Sequence, residues 1–140
     1  MHAIAARRDE VDRLTERIIG AAISVHRELG PGLLESVYEA CLAYELERAG
    51  LKVERQKPLP VRYRDVTLDC GYRADLLVDE SVIVEIKAAE KVEPVHKAQV
   101  LSYLKMSGCR MGLRINFNVK MVKDGVHRVV NQLPESDRAS

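Results

Sequence analysis

Tryptophan is absent from this 140-residue chain, and phenylalanine occurs once. A platform of stacked aromatic rings for single-stranded nucleic acid therefore has little to be built from. Cysteine is scarce too. Cys41, Cys70 and Cys109 are odd in number and widely spaced, so they fit neither a disulfide framework nor a zinc site. They read as buried or idle thiols of a cytoplasmic protein, and an iron–sulfur site is not expected. No long hydrophobic run exists: the longest apolar stretch, Ile18–Val25, falls far short of the roughly 20 residues that span a bilayer. The residues from Met1 to Glu10 lack the apolar core of a signal peptide. Large net charge is also missing, at a formal +1, so bulk attraction cannot carry nucleic-acid binding, although a local basic surface could.

What is present suits one soluble globular domain over residues 1–140, with residues 1–8 and 131–140 expected to be flexible. Val11, Leu14, Ile18, Ala22, Val25 and Leu29 recur at three- and four-residue steps, which predicts an amphipathic helix over Asp9–Leu29. Gly30-Pro31-Gly32 ends it, and a second helix is predicted from Leu33 to Ala49, closed by Gly50. Glu35 falls in its first turn, where the helix dipole favours a carboxylate whatever its function. Tyr38, spaced with Leu34 and Leu42, reads as core, and Gly32 as part of a tight interhelical turn.

After Gly50 the period becomes two. Leu51–Gln56 and Leu59–Tyr63 read as strand, with Pro58 and Pro60 marking an edge or a bend. Bases outnumber acids between Arg48 and Arg73, which suits a phosphate backbone but equally a solvated sheet face. A third helix is predicted over Glu93–Met106, with Pro94 at its first position and Gly108 as its stop. Val95, Ala98, Leu101 and Leu104 are its expected core face, and His96, Gln99 and Tyr103 share another. Met111–Phe117 reads as strand. Val119–Lys123 and Val126–Val130 are predicted to form a closing hairpin around Asp124-Gly125. The crossover from Val82 to Phe117 makes part of the sheet parallel, so the expected fold is a mixed sheet with helices packed on it.

The stretch Gly71–Ala88 is the most informative. Tyr72–Val78 and Val82–Lys87 are rich in Val, Ile and Leu and flank the polar turn Asp79-Glu80-Ser81. A three-residue loop pairs Val78 with Val82, Leu76 with Val84 and Ala74 with Ile86 on an apolar face. The other face then pairs Leu77 with Ile83, Asp75 with Glu85 and Arg73 with Lys87. Two carboxylates directly opposite repel one another. A hard divalent cation between them would compensate, as would surface salt bridges to Arg73 or Lys87.

Asp75 followed by Glu85-x-Lys87, after a helix bearing Glu35, resembles the PD-(D/E)XK nuclease superfamily. Gly32-Leu33-Leu34-Glu35-Ser36-Val37-Tyr38 resembles the signature of the GxxExxY family, and Gln99-x-x-x-Tyr103 the QxxxY motif of the RecB-like branch. The likeness runs from about Asp9 through Phe117 and into the closing hairpin. It implies a restriction-endonuclease-like α/β/α sandwich and a Mg²⁺- or Mn²⁺-dependent nuclease that hydrolyses phosphodiester bonds, of DNA in preference to RNA. The alternative is a weakly active or inert binding module that kept the fold. By the resemblance, Asp75, Glu85 and the Ile86 backbone carbonyl would hold the metal. Glu35 would bind through water or hold a second ion, and Lys87 would act on the attacking water and the phosphate. Gln99 and Tyr103 would brace the site or touch the substrate phosphate. Apart from the resemblance, Arg73 and His96 are candidate substrate contacts. A lone histidine such as His26 is more often structural. The implied partner is nucleic acid, not a membrane, with assembly into a homo-oligomer or with a larger protein left open.

Overall fold

The computed structural model describes residues 7–90 and 94–131, without the side chains of residues 70, 71 and 94–96. Helices α1 (Arg8–Leu29) and α2 (Glu35–Arg48) lead into strands β1 (Val53–Tyr63), β2 (Val66–Val78) and β3 (Val82–Lys87). Helix α3 (Pro94–Ser107), β4 (Met111–Asn116), a 3-10 turn at Val122–Gly125 and β5 (Val126–Val130) follow. The strands form one sheet in the order β1-β2-β3-β4-β5. Only β3 and β4, joined through α3, pair parallel. The ends expected to be loose lie mostly outside the described residues. Asn131, counted among them, is buried, and its side chain donates to the carbonyls of Leu104 and Cys109.

The three layers follow from the alternation of side chains along the strands. Leu76, Val78, Val82, Val84, Ile86, Leu113 and Ile115 pack against the stripe of α1 and against Tyr38, Leu42 and Leu46 of α2. Leu77 and Ile83 turn the other way, onto Val100 and Leu104 of α3. Gly112 is small because α3 lies close: a Cβ there would sit 2.7 Å from Val100. The expected core face of α3 needs correction, since Ala98 is exposed and Leu101 only half-buried. Leu104 is buried as expected, with Val100 as its i, i+4 partner, and the Val95 side chain lies outside the described residues.

Strand β1 runs unbroken over Pro58 and Pro60. It is an edge strand, so a missing N–H can face away from β2. Its register nevertheless shifts between Leu59 and Val61, at Pro60. The closing hairpin does not form. Val119–Lys123 is not a strand, and β5 pairs directly with β4, from Ile115–Val126 to Met111–Val130. Gly125 is there for space and not for a hairpin turn, because a Cβ would lie 2.2 Å from the Asn116 carbonyl oxygen.

Candidate active site

The hairpin of β2 and β3 has the expected register, Leu76–Val84, Leu77–Ile83 and Val78–Val82, but the ladder stops there. Asp75 and Glu85 are the first residues beyond it. Side chains replace the backbone bonds: the Ile86 N–H donates to Asp75 Oδ2 at 2.8 Å, and the Asp75 N–H to Glu85 Oε1 at 3.3 Å. The strands have opened into a gap that holds both carboxyl groups. Upstream of it Ala74 has left the α1–α2 face, where its expected partner Ile86 stays, and packs on the α3 side.

The Ile86 carbonyl faces the same gap. In a strand the N–H and C=O of one residue point the same way. The Ile86 N–H points at Asp75, while the neighbouring Lys87 carbonyl points at β4 and accepts from the Phe117 N–H at 2.9 Å. With the β2–β3 ladder ended at Leu76–Val84, Ile86 has no ladder partner on β2.

Helix α2 adds two carboxylates. Glu35, its first residue, accepts from the Ala88 N–H at 3.2 Å and so reaches the chain just past Lys87. Tyr38 sets this position: its hydroxyl donates to the Gly30 carbonyl at 2.6 Å and accepts from the Leu33 N–H at 3.1 Å. Its ring stacks on Phe117 with centroids 4.4 Å apart. Gly32 permits the turn between, at a φ of 100°. One helical turn on from Glu35, Glu39 accepts from Gln56 Nε2 at 2.7 Å, and the same nitrogen donates to Asp75 Oδ1 at 3.1 Å. Arg55 pairs with Glu39 at 3.1 Å.

Glu85 is buried, and burial pushes its carboxyl up to about 7. The bond from Asp75 and the Lys87 ammonium pull it down, and the charges of Glu35 and Glu39 add to the rise. The Tyr72 hydroxyl donates to Glu85 Oε1, and the Tyr72 ring stacks on Tyr103 at 3.9 Å between centroids. Tyr103 therefore touches the site through Tyr72.

The remaining expected residues divide. Lys87 ends β3 half-buried, beside Asn116 on β4. Gln99 is exposed on α3 and makes no hydrogen bond among the described residues. Arg73 donates to the Gln56 carbonyl at 3.2 Å, and the His96 side chain lies outside the described residues. His26 is buried with Nε2 3.1 Å from the Phe117 carbonyl, a structural contact. Among the described residues, no ion pair joins Asp75 or Glu85 to Arg73 or Lys87, so the salt-bridge reading of the hairpin fails.

Glu39, Gln56, Tyr72 and Asn116 were not singled out in the sequence. Glu39, four residues after Glu35 and so on the same helix face, carried a legible signal; the others depend on tertiary pairing. Asn116 holds the strand exit, donating to the Ala89 carbonyl at 2.8 Å and accepting from the N–H groups of Ala89 and Asn118.

An all-oxygen set suits a hard divalent cation. Asp75, Glu85 and Glu39 share one hydrogen-bond network with Glu35 beside it, buried Glu85 forms no ion pair among the described residues, and one backbone carbonyl faces the gap. Among the described residues no three His, Cys, Asp or Glu side chains stand gathered as a ready ligand group. A cation in this gap would have two carboxylates and a carbonyl within reach and would need water for the rest of its shell, as Mg²⁺ tolerates.

A family model described as the PD-(D/E)XK nuclease superfamily matches residues 12–129. No curated protein and no solved structure matches the chain.

Proposed function

We propose, from the premise that this chain belongs to the PD-(D/E)XK nuclease superfamily, that it is a divalent-metal-dependent nuclease whose centre is the gap between β2 and β3. The observation that carries the reading is the end of the ladder at Leu76–Val84, which leaves Asp75, Glu85 and the Ile86 carbonyl around one opening. Those three would hold the ion, Mg²⁺ or Mn²⁺. When bound, it supplies Lewis-acid activation of water and of the phosphate.

The chain's own groups do the rest. Gln56 and the Ile86 N–H fix the Asp75 carboxylate, so that it need not reorganise during reaction. Lys87 orients the water that attacks phosphorus and offsets the negative charge that grows as the P–O ester bond breaks. Glu35, anchored on the Ala88 N–H, binds through water or holds a second ion. Tyr103 braces Tyr72, and Tyr72 holds Glu85. Gln99, with its amide exposed, is free to meet substrate.

Within the superfamily we place the chain with the GxxExxY proteins and the RecB-like branch. In support, Gly32, Glu35 and Tyr38 each do a separate job in positioning α2 against β3, and Tyr103 reaches the site. We further propose DNA in preference to RNA as substrate, a single cytoplasmic domain, and action either alone, as a homo-oligomer or with a larger protein. No helix among the described residues is long and apolar enough to cross a membrane. A second reading, an inert nucleic-acid-binding module, is favoured by the lack of a preassembled three-ligand group among the described residues.

One assay separates them. Purified protein with Mg²⁺ or Mn²⁺ should cleave duplex, single-stranded or branched DNA, and Asp75→Ala and Lys87→Ala should each lose at least about a hundredfold in rate. Cleavage without metal, or variants as active as the parent, would sink the mechanism. Inactivity on every substrate would favour the binding module.

A further inference from the structure

The bases that drew attention in the sequence are largely spoken for. Lys52 pairs with Glu80 at 2.7 Å, Lys57 with Glu54 at 2.6 Å and Arg55 with Glu39, while Arg73 donates to the backbone. A different set has no such partners. Arg27 in the last turn of α1, with Lys120 and Lys123 on the segment after β4, lines an open cleft of about 370 Å³. All three side chains are exposed, and none forms an ion pair or hydrogen bond among the described residues. Among the described residues no acidic one lines the cleft, and Ile23 and Met121 supply an apolar floor.

A backbone hydrogen-bond chain links this cleft to the candidate active site. His26 on its wall meets the Phe117 carbonyl at 3.1 Å, and the Phe117 N–H meets the Lys87 carbonyl at 2.9 Å. The wall is therefore two hydrogen bonds from the backbone of Lys87. In a chain of net charge +1, three unneutralised cations round one cleft make a local field that the whole molecule lacks.

We infer that the α1–Lys123 cleft binds the sugar–phosphate backbone of a nucleic-acid strand beside the scissile bond, with Arg27, Lys120 and Lys123 as its phosphate contacts. This rests on the nuclease reading for what happens at Lys87, though not for binding itself. Such contacts position a strand and carry no base sequence. The cleft thus makes this a reader of backbone, one that needs a polymer and not a mononucleotide for full affinity.

The test compares the parent with Arg27→Gln/Lys120→Gln/Lys123→Gln and with the charge-keeping Arg27→Lys/Lys120→Arg/Lys123→Arg. Fluorescence anisotropy on a labelled 20-nucleotide strand, in EDTA and across a salt series, reads binding without turnover. Hydrolysis of bis(4-nitrophenyl) phosphate with Mn²⁺ reads the metal site without the cleft. Each lost phosphate contact lowers the log–log salt slope by about 0.7 for a single strand, so the neutral variant should lose about 2. Its affinity at low salt should fall at least about tenfold, with small-ester hydrolysis retained and the charge-keeping variant close to the parent. Unchanged affinity and slope in the neutral variant would overturn the inference, as would equal loss in the charge-keeping one or a parent that binds no strand at low salt. If the neutral variant loses binding while even the parent leaves the small ester intact, the cleft stands and the nuclease reading falls.

Discussion

Replacing Glu85 by Gln should stabilise the protein while removing a ligand of the proposed metal site, and the gain should depend on pH. Glu85 is buried, and its carboxyl is raised from 4.5 to about 7 chiefly by that burial. Between those values the folded chain holds a proton that the unfolded chain has released. Stability therefore falls as pH rises through this window and levels off above it. The shift corresponds to about 3 kcal/mol lost once the group is fully ionised. Gln cannot ionise, and its carbonyl oxygen can still accept from the Tyr72 hydroxyl and the Asp75 N–H, the two bonds that Glu85 Oε1 now takes. Measured in EDTA, the variant should melt roughly 10 °C above the parent at pH 8.5, at about 3 °C per kcal/mol for a chain of this size. At pH 5 the difference should shrink to about 1 kcal/mol. A gap that does not change with pH, or a variant less stable at pH 8.5, would refute the reasoning. The same experiment locates a tension in the site: the carboxylate that would bind a cation is also the one that burial favours protonating.

Three further substitutions test other joints of the structure. Tyr38→Phe keeps the stack on Phe117 but leaves the Gly30 carbonyl and Leu33 N–H without their shared partner; chemical denaturation should show about 1–2 kcal/mol of destabilisation. Tyr103→Phe should leave hydrolysis near the parent rate, since its contact with the site is the ring on Tyr72, whereas Tyr103→Ala should cost about tenfold; equal losses would instead assign the hydroxyl a direct role. Arg114 is buried on β4 with Nε and Nη1 lacking partners among the described residues, so Arg114→Met should raise stability by about 1–3 kcal/mol in thermal melts.

The parts of the fold written in periodicity were legible: the α1 stripe, the β2–β3 register and the Gly108 stop all come from local pattern. The 118–125 segment was not, because Asp-Gly signals a turn as readily as it allows close backbone approach, and here Gly125 lies under Asn116. Val100 was missed on α3 for a related reason, since four apolar residues at helical spacing fit two faces, and only the position of Gly112 selects one. Asp75 and Glu85 do come together as the strand pattern predicts, but through side chains and not a ladder pair, and Arg73 and Lys87 do not pair. Gln56 and Tyr72 were invisible, since their roles depend on β1 and α3 closing over the gap from distant parts of the chain. Charge was read least well. Lys52, Arg55 and Lys57 of the basic run each pair with an acid, while Arg27 lies far from Lys120 and Lys123 in sequence yet lines one cleft with them.

The central claim is that Asp75 and Glu85 form one divalent-metal site. Mn²⁺ titration followed by electron paramagnetic resonance at pH 8 measures this without any substrate. The parent should remove free Mn²⁺ signal saturably, and Asp75→Ala or Glu85→Gln should abolish that uptake while the chain stays folded by circular dichroism. Uptake of Mn²⁺ by either variant equal to that of the parent would contradict the account.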